Sequence, residues 1–373
     1  MGNRTRVLIA YSEVTGYAMA GWKALTARED IELKVLAGGA GSTDRDNAFL
    51  ASGDCPWLSL LEGGHRACLR TVRETARAFR PEVVFVSGWS NPAYAPLVRE
   101  KTAGGYRVVM CLDTGLHRPL RQILGRVRLW NYLQGVDRFL VPGERGREFL
   151  NRWWRVPNAR IWTGLYAADV ARWGEALEAR RGLAAWPRSF QFIGRYIPIK
   201  GVQELLAGYR AYRSEVADPM EFRFCGHGPL GDAVRREPGV ADLGFVQPND
   251  LGPALGAAGC FVLPSRYDPW AVALVEACAA GLPVIAGVSC GASVEVLRDG
   301  YNGALLREVS AGAVRSALTA MHHAYEEWPR MGERSAGFAA PYAPERWAAN
   351  VARLAQELAG KRMPAPTSDK EER

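Results

Sequence analysis

The sequence lacks the features that would mark a secreted, membrane-spanning or metal-built protein. Its seven cysteines (55, 68, 111, 225, 260, 278 and 290) are odd in number, scattered and without a C-x-x-C pair. That excludes a disulfide framework and a zinc site of ordinary spacing, and it fits a reducing cytoplasm. No apolar run is long enough to cross a bilayer. The longest, Trp270 to Val288, carries Glu276, Gly281 and Pro283 and reads as a buried helix, a turn and a strand. The run Val7-Leu8-Ile9-Ala10 is too short for the core of an export signal. Arg6 stands where a myristoylation signal needs Ser or Thr. No internal repeat is evident, and lysine occurs only six times, so the basic charge is nearly all arginine.

What is present is a globular composition: 48% hydrophobic and 23% charged residues, with 40 Gly, 22 Pro and 12 Trp in 373 residues. At roughly 100–200 residues per domain the length predicts two domains. The net charge of +8 is unevenly distributed. Residues 1–165 hold 24 Lys and Arg against 15 Asp and Glu, a net of +9, and the rest of the chain nets −1. Such a field suits an anionic membrane surface or an anionic acceptor. No nucleic-acid-binding motif accompanies it, so no nucleic-acid partner is expected.

Short β-like runs alternate with helical periodicity, the pattern of an α/β chain with parallel sheets flanked by helices. In the first half, strands are expected at Arg6–Ala10, Ile31–Leu36, Glu82–Ser87, Arg107–Leu112, Arg138–Val141 and Ile161–Gly164, with a helix from about Tyr17. The polar segment 167–187 reads as a linker. A second series follows: strands at Phe190–Ile193, Glu221–Cys225, Cys260–Leu263 and Pro283–Ala286, and helices at Gly201–Glu215, Trp270–Ala280, Ser310–Trp328 and Glu345–Leu358. The charged tail 361–373 is expected to be disordered.

Chemistry concentrates in the second series. A strand ending in Gly194-Arg195, followed by Lys200-Gly201 at a helix start, sets two cations at the carboxyl edge of a parallel sheet, where anions bind. Asp268 lies in the loop before a helix, and Glu276 about two turns inside it. At 1.5 Å rise per residue they are about 12 Å apart along the axis, enough for one to meet a sugar and the other a ribose. Asp268 alone could be an ordinary helix-capping residue. Glu276, a carboxylate in an otherwise apolar helix, needs a purpose or a partner.

These residues, with Cys225-Gly226-His227-Gly228-Pro229, Gly244-Phe245-Val246, Asp268-Pro269-Trp270-Ala271, Glu276-Ala277-Cys278-Ala279-Ala280-Gly281-Leu282-Pro283-Val284 and Cys290-Gly291-Ala292…Glu295, resemble the nucleotide-sugar domain of family four glycosyltransferases. The resemblance covers roughly residues 190–306. It implies the GT-B fold, two Rossmann-like domains facing across a cleft, and retention of anomeric configuration. It assigns Arg195 and Lys200 to the donor diphosphate, Glu276 to the ribose hydroxyls and Asp268 to hydroxyls of the transferred sugar. Backbone at Gly194, Gly226, Trp270, Ala271 and Val272 would complete the cradle, with Val246 near the base. Two positions depart from the family pattern: Asp268 stands for Glu, and Ala271 for Gly, which leaves donor identity open. Fixed cations and a helix N-terminus can stabilise a leaving diphosphate, so no metal and no cofactor are expected. Asp44-Arg45-Asp46, which looks like a metal motif of another glycosyltransferase fold, lies in a polar segment and reads as a solvated loop.

The first half resembles the family less closely. Gly16 falls where relatives carry a glycine loop after the first strand. Asp113, with His117 four residues on, falls where they carry a histidine near the reacting sugar, and both are catalytic candidates. Residues 119–134 read as a basic amphipathic helix with Leu120, Ile123, Leu124, Val127 and Trp130 as its apolar stripe, suited either to packing or to docking on an anionic membrane. Trp153-Trp154 has the same two readings, domain packing or an interfacial anchor.

The expectation is therefore an acceptor domain over 1–165, a donor domain over 170–335 and a final helix, within 341–360, that packs back on the first. The expected activity is transfer of a sugar from a nucleoside diphosphate, UDP or GDP, to a carbohydrate or lipid-linked acceptor in bacterial polysaccharide, lipopolysaccharide or glycolipid synthesis. It would take place in the cytoplasm or on the inner face of the plasma membrane. The rival readings are a non-catalytic nucleotide-sugar-binding scaffold and a sugar-nucleotide epimerase.

Overall fold

The computed structural model describes residues 4–38, 55–116, 119–247 and 250–360. Two parallel sheets organise the chain. The first contains β1 (Thr5–Tyr11), β2 (Ile31–Gly38), β3 (Leu58–Leu61), β4 (Val83–Ser87), β5 (Arg107–Cys111), β6 (Arg138–Val141) and β7 (Ile161–Thr163), in the order β3-β2-β1-β4-β5-β6-β7. The second contains β8 (Ser189–Ile193), β9 (Glu221–Cys225), β10 (Val240–Asp242), β11 (Cys260–Leu263), β12 (Val284–Gly287) and β13 (Gly303–Leu306), in the order β10-β9-β8-β11-β12-β13. Helices cover both faces, so the central strands are apolar on both sides: Val7, Leu8, Val84 and Val86 in one sheet and Phe190, Phe192, Phe261 and Val262 in the other are wholly buried.

In each sheet the strand order reverses once, between β1 and β4 and between β8 and β11. A doubly wound sheet opens a crevice at that point beyond the carboxyl ends of its strands. The two crevices are where Gly16, Asp113, Gly194, Arg195 and Asp268 fall.

The segment 167–187 is not an irregular linker. Asp169 caps a helix, Val170–Arg181, whose Trp173, Ala176, Leu177 and Arg180 are buried. This spacing of three and four residues was masked in the sequence by the intervening charges. The Arg180 guanidinium donates to the carbonyls of Leu255, Ala280 and Gly281 and lies over the Trp186 ring. It thereby satisfies the C-terminal end of the helix Val272–Ala279. Burial lowers its pKa to about 10. The expected single helix 310–328 ends at His323, and a further helix, Trp328–Ala339, follows it. The helix expected over 119–134 is broken into Pro119–Arg128 and Trp130–Leu133.

The final helix, Pro344–Leu358, returns to the first sheet. Trp347 Nε1 donates to the Leu165 carbonyl at 2.8 Å, Asn350 Nδ2 to that of Thr163 at 3.0 Å, and Gln356 Nε2 to the Asp30 carboxylate at 2.8 Å. The chain therefore crosses between the sheets twice. This limits how far the two can separate.

Candidate active site

The site is built from four loops at the carboxyl edge of the second sheet. β8 is followed by Gly194 and Arg195; Arg195 is exposed and makes no ion pair among the described residues. The chain then turns through Pro198–Lys200 into Gly201, which has φ +71°, and a Cβ there would stand 2.1 Å from the Pro264 carbonyl oxygen. Only glycine allows this turn to lie against the end of β11. Arg266 N–H donates to the Ile199 carbonyl at 2.9 Å across the same seam. The result is that Lys200 meets Asp268: Nζ and Oδ2 are 2.5 Å apart, with side chains only 20% and 13% exposed.

Asp268 does two things at once. Its Oδ1 accepts the N–H of Ala271, the residue before the helix, at 2.8 Å, while its Oδ2 holds Lys200. It fixes the loop before the helix without capping the helix itself. Ala271 has φ +69°, a left-handed conformation that favours glycine and costs an L-residue about 1–2 kcal/mol. Val272 opens the helix Val272–Ala279 directly after it, so the helix N-terminus faces the same crevice. The Trp270 indole takes no part in the crevice. It is buried against the Tyr342 ring, 5.6 Å away between centroids, and beside Gly143.

The Cys290-Gly291-Ala292 turn supports this loop. Gly291 N–H donates to the Asp268 carbonyl and Ala292 N–H to that of Trp270, at 2.9 and 2.7 Å, and Asp268 N–H donates to Ser289. A Cβ on Gly291 would lie 1.9 Å from the Pro269 carbonyl oxygen. The two sequence motifs are thus one structural unit, the second clamping the first.

Glu276 is half-buried one face further along the helix, near Arg172 and Asp169 of the helix Val170–Arg181. Burial, opposed by Arg172 and assisted by Asp169, pushes its carboxyl up to about 7. Gly194 and Gly226 touch at the ends of β8 and β9, and Val246 follows β10 beside Phe245, whose ring meets His227 edge to face at 5.4 Å.

From the first domain comes a cavity of about 440 Å³ at the ends of β1, β4 and β5, lined by Tyr11, Ser12, Ser87, Trp89, Asp113 and Tyr166 among others. Asp113 Oδ2 accepts the Tyr166 hydroxyl at 2.7 Å. Burial raises its carboxyl to about 6 against that hydrogen bond, and Asp268 and Lys200 both act on it electrostatically. Asp113 lies two residues before Gly115, whose backbone meets the hydroxyl of Tyr267 beside Asp268, so the two carboxylates flank one domain seam. Gly16 is the first residue of the helix Gly16–Thr26, capped by Thr15, at the same sheet edge. His117 lies outside the described residues, as do Asp44, Asp46 and the tail 361–373. Among the described residues no group of three or more His, Cys, Asp and Glu is arranged to hold a metal ion.

Two side chains tie the domains together. The Tyr267 hydroxyl bridges the backbone N–H and carbonyl of Gly115 at 3.2 and 3.3 Å. Glu295 Oε1 accepts the Glu144 N–H at 2.7 Å, capping the helix Glu144–Trp154 from the other domain. Tyr166, which carried no sequence signal, holds Asp113 within the first domain; Glu295 stood in the motif after Cys290 and Tyr267 next to Asp268.

Two parallel doubly wound domains with their switch points opposed across a cleft make the GT-B architecture, and the cationic and acidic groups meet at the carboxyl edge of its second sheet. Residues 187–324 match the family model described as Glycosyl transferases group 1, and the chain has the GT-B fold. Among curated relatives, the D-inositol 3-phosphate glycosyltransferase of Corynebacterium kroppenstedtii is 26% identical over 243 residues, 60% of this chain and 53% of the relative. The chain spans about half the length of the first such relatives. Among solved structures, Anabaena Alr3699/HepE in complex with UDP and glucose superposes with a TM-score of 0.69 at 13% identity, covering 96% of this chain and all of that one. The sucrose-phosphate synthase of Thermosynechococcus elongatus gives 0.73 at 15% identity, with the same coverage.

Proposed function

We propose that the chain transfers a sugar from a nucleoside diphosphate to an acceptor hydroxyl with retention of configuration and without a metal ion. The observation that carries this reading is the convergence of Arg195, Lys200, Asp268 and the N-terminus of the helix Val272–Ala279 opposite Asp113. Arg195, Lys200 and the helix N-terminus would stabilise the charge that grows on the departing diphosphate. Glu276 would accept hydrogen bonds from the ribose hydroxyls, and Val246, with the His227–Phe245 pair, would flank the base. Lys200 is held by Asp268, so donor binding exchanges part of that ion pair for phosphate and sugar contacts. The acceptor hydroxyl attacks on the face that the diphosphate leaves. The departing phosphate oxygen takes the hydroxyl proton, and Asp113 orients the sugar or the acceptor from the other side of the cleft. A UDP complex of a structural neighbour supports the nucleotide class.

The test is a panel of UDP-, GDP-, ADP- and dTDP-sugars, read by thermal shift and by nucleotide release with EDTA present. The expected result is a shift and slow hydrolysis with one donor, both lost in Arg195→Ala. Absence of binding to every donor would leave the scaffold reading; interconversion of the sugar without nucleotide release would support an epimerase.

A second observation bears on where the enzyme works. In the basic first domain, Leu124, Val127 and Trp130 of the amphipathic stripe are 69%, 70% and 50% exposed, so the described part of that stripe is not packed. This favours docking on an anionic membrane surface, with an acceptor held there. Trp154 is no anchor, since it is buried against Phe149 and Trp89. Co-sedimentation with vesicles containing phosphatidylglycerol should be strong for the parent and weak for Leu124→Glu/Val127→Glu. Equal binding of the two would exclude this surface.

A further inference from the structure

A second cavity, of about 350 Å³, lies between the helix Glu144–Trp154 of the first domain and the loop 266–269 of the second, separate from the one that holds Asp113. Three arginines line it, Arg145, Arg152 and Arg266, against the carboxylates of Glu148 and Asp268. Arg152 is paired with Glu148 at 2.7 Å, Arg266 with Glu204, and Asp268 with Lys200.

Arg145 is the exception. Its Nε is buried without a hydrogen-bond partner, and its guanidinium has no carboxylate at ion-pair distance among the described residues. Glu295 acts on it electrostatically, but Glu295 Oε1 is taken by the Glu144 N–H and the two side chains do not hydrogen-bond. Withdrawing a guanidinium donor from water without an acceptor is costly. Its planar fork is matched by the paired oxygens of a carboxylate or phosphate. Asp268, which the proposed reaction sets beside the transferred sugar, forms one wall, so a group bound at Arg145 is part of a molecule reaching the same centre.

We propose that this cavity is an acceptor subsite for an anionic oxyacid group, phosphate or carboxylate, with Arg145 as its principal ligand and Arg152 and Arg266 adding positive field. The word acceptor rests on the transferase reading; the anion site itself does not. The acceptor is then a phosphorylated or acidic sugar or polyol, its anion held at Arg145 and a hydroxyl presented toward Asp268.

Calorimetric titration of the full chain with inorganic phosphate, glucose 6-phosphate, glucuronate and glucose, with UDP saturating the diphosphate site, tests this. Phosphate and at least one anionic sugar should bind, and the stronger of glucose 6-phosphate and glucuronate identifies which oxyacid the site prefers. Arg145→Met should weaken anion binding by about tenfold or more; Arg145→Lys should lose less; Arg195→Met should leave it within about twofold. The proposal is overturned if glucose binds as tightly as both anionic sugars, if Arg195→Met rather than Arg145→Met removes phosphate binding, or if Arg145→Met lowers the melting temperature while Arg145→Lys, folded as the parent, binds no phosphate. Phosphate binding that depends on Arg145 in a protein that hydrolyses no sugar nucleotide would refute the transferase reading and leave the anion site standing.

Discussion

Replacing Glu276 by Gln should make the protein more stable at alkaline pH and poorer at holding a nucleotide. The Glu276 carboxyl is pushed from 4.5 up to about 7, chiefly by burial. The folded state therefore keeps a proton that the unfolded state has released between these values. Stability falls as pH rises from about 4.5 to 7 and stays lower above. At about 1.36 kcal/mol per pH unit the full penalty is about 3 kcal/mol at pH 8 and under about 1 kcal/mol at pH 5. Gln keeps the shape of the protonated acid and carries no charge. Glu276→Gln should thus melt near the parent at pH 5 and roughly 5–10 °C above it at pH 8, at about 2–4 °C per kcal/mol for a domain of this size. Nucleotide affinity should move the other way, by about tenfold or more, because the ribose loses a charged acceptor. Melting curves from pH 5 to 8.5 and a nucleotide titration at pH 8 provide the check. Curves that run parallel at every pH, or a variant less stable at pH 8, would refute the argument that the helix holds this carboxylate against its own solvation.

Lys200→Met leaves the Asp268 carboxylate, 13% exposed, without its counter-ion. It should cost about 1–3 kcal/mol in a urea titration and abolish donor hydrolysis, whereas a variant as stable as the parent would mean that the pair is solvated. Ala271→Gly relieves a left-handed alanine but adds chain entropy to the unfolded state. The net gain should be under about 1 kcal/mol, and a loss in the denaturant midpoint would contradict the strain assigned there. Gly143→Ala would put a Cβ 2.2 Å from Glu295 Oε1 and 2.5 Å from the Trp270 ring; it should open the domain seam, seen as faster amide exchange in the helix Glu144–Trp154. With the Asp113 carboxyl near 6, turnover that needs it ionised should rise with pH through about 6, and Asp113→Asn should erase that inflection.

The central strands were readable because each is an unbroken apolar run: Val7 to Ala10, Val83 to Val86 and Cys260 to Leu263 are buried on both faces of a parallel sheet. The three strands that sequence reading missed, β3, β10 and β13, are all sheet edges. An edge strand is short and half-exposed, so it needs no such run. The helix Val170–Arg181 escaped for a related reason, its buried positions being separated by Arg and Glu.

In the second domain, Gly194-Arg195, Lys200-Gly201, Asp268 and Glu276 stood out by residue type and spacing, since a parallel sheet brings the carboxyl ends of its strands to one edge whatever the loops contain. Local sequence therefore determined the α/β class, the two sheets and most of the residues that gather at the carboxyl edge of the second one. It could not determine contacts between segments far apart in the chain: Tyr166 on Asp113, Tyr267 on Gly115, Glu295 on the Glu144 N–H and the Lys200–Asp268 pair. These depend on residues about 50 to 150 positions apart, and two of them, Tyr267 on Gly115 and Glu295 on Glu144, are set by how the two domains pack. That packing is fixed by the buried Trp270 and by the final helix returning to the first sheet, and no local periodicity encodes it.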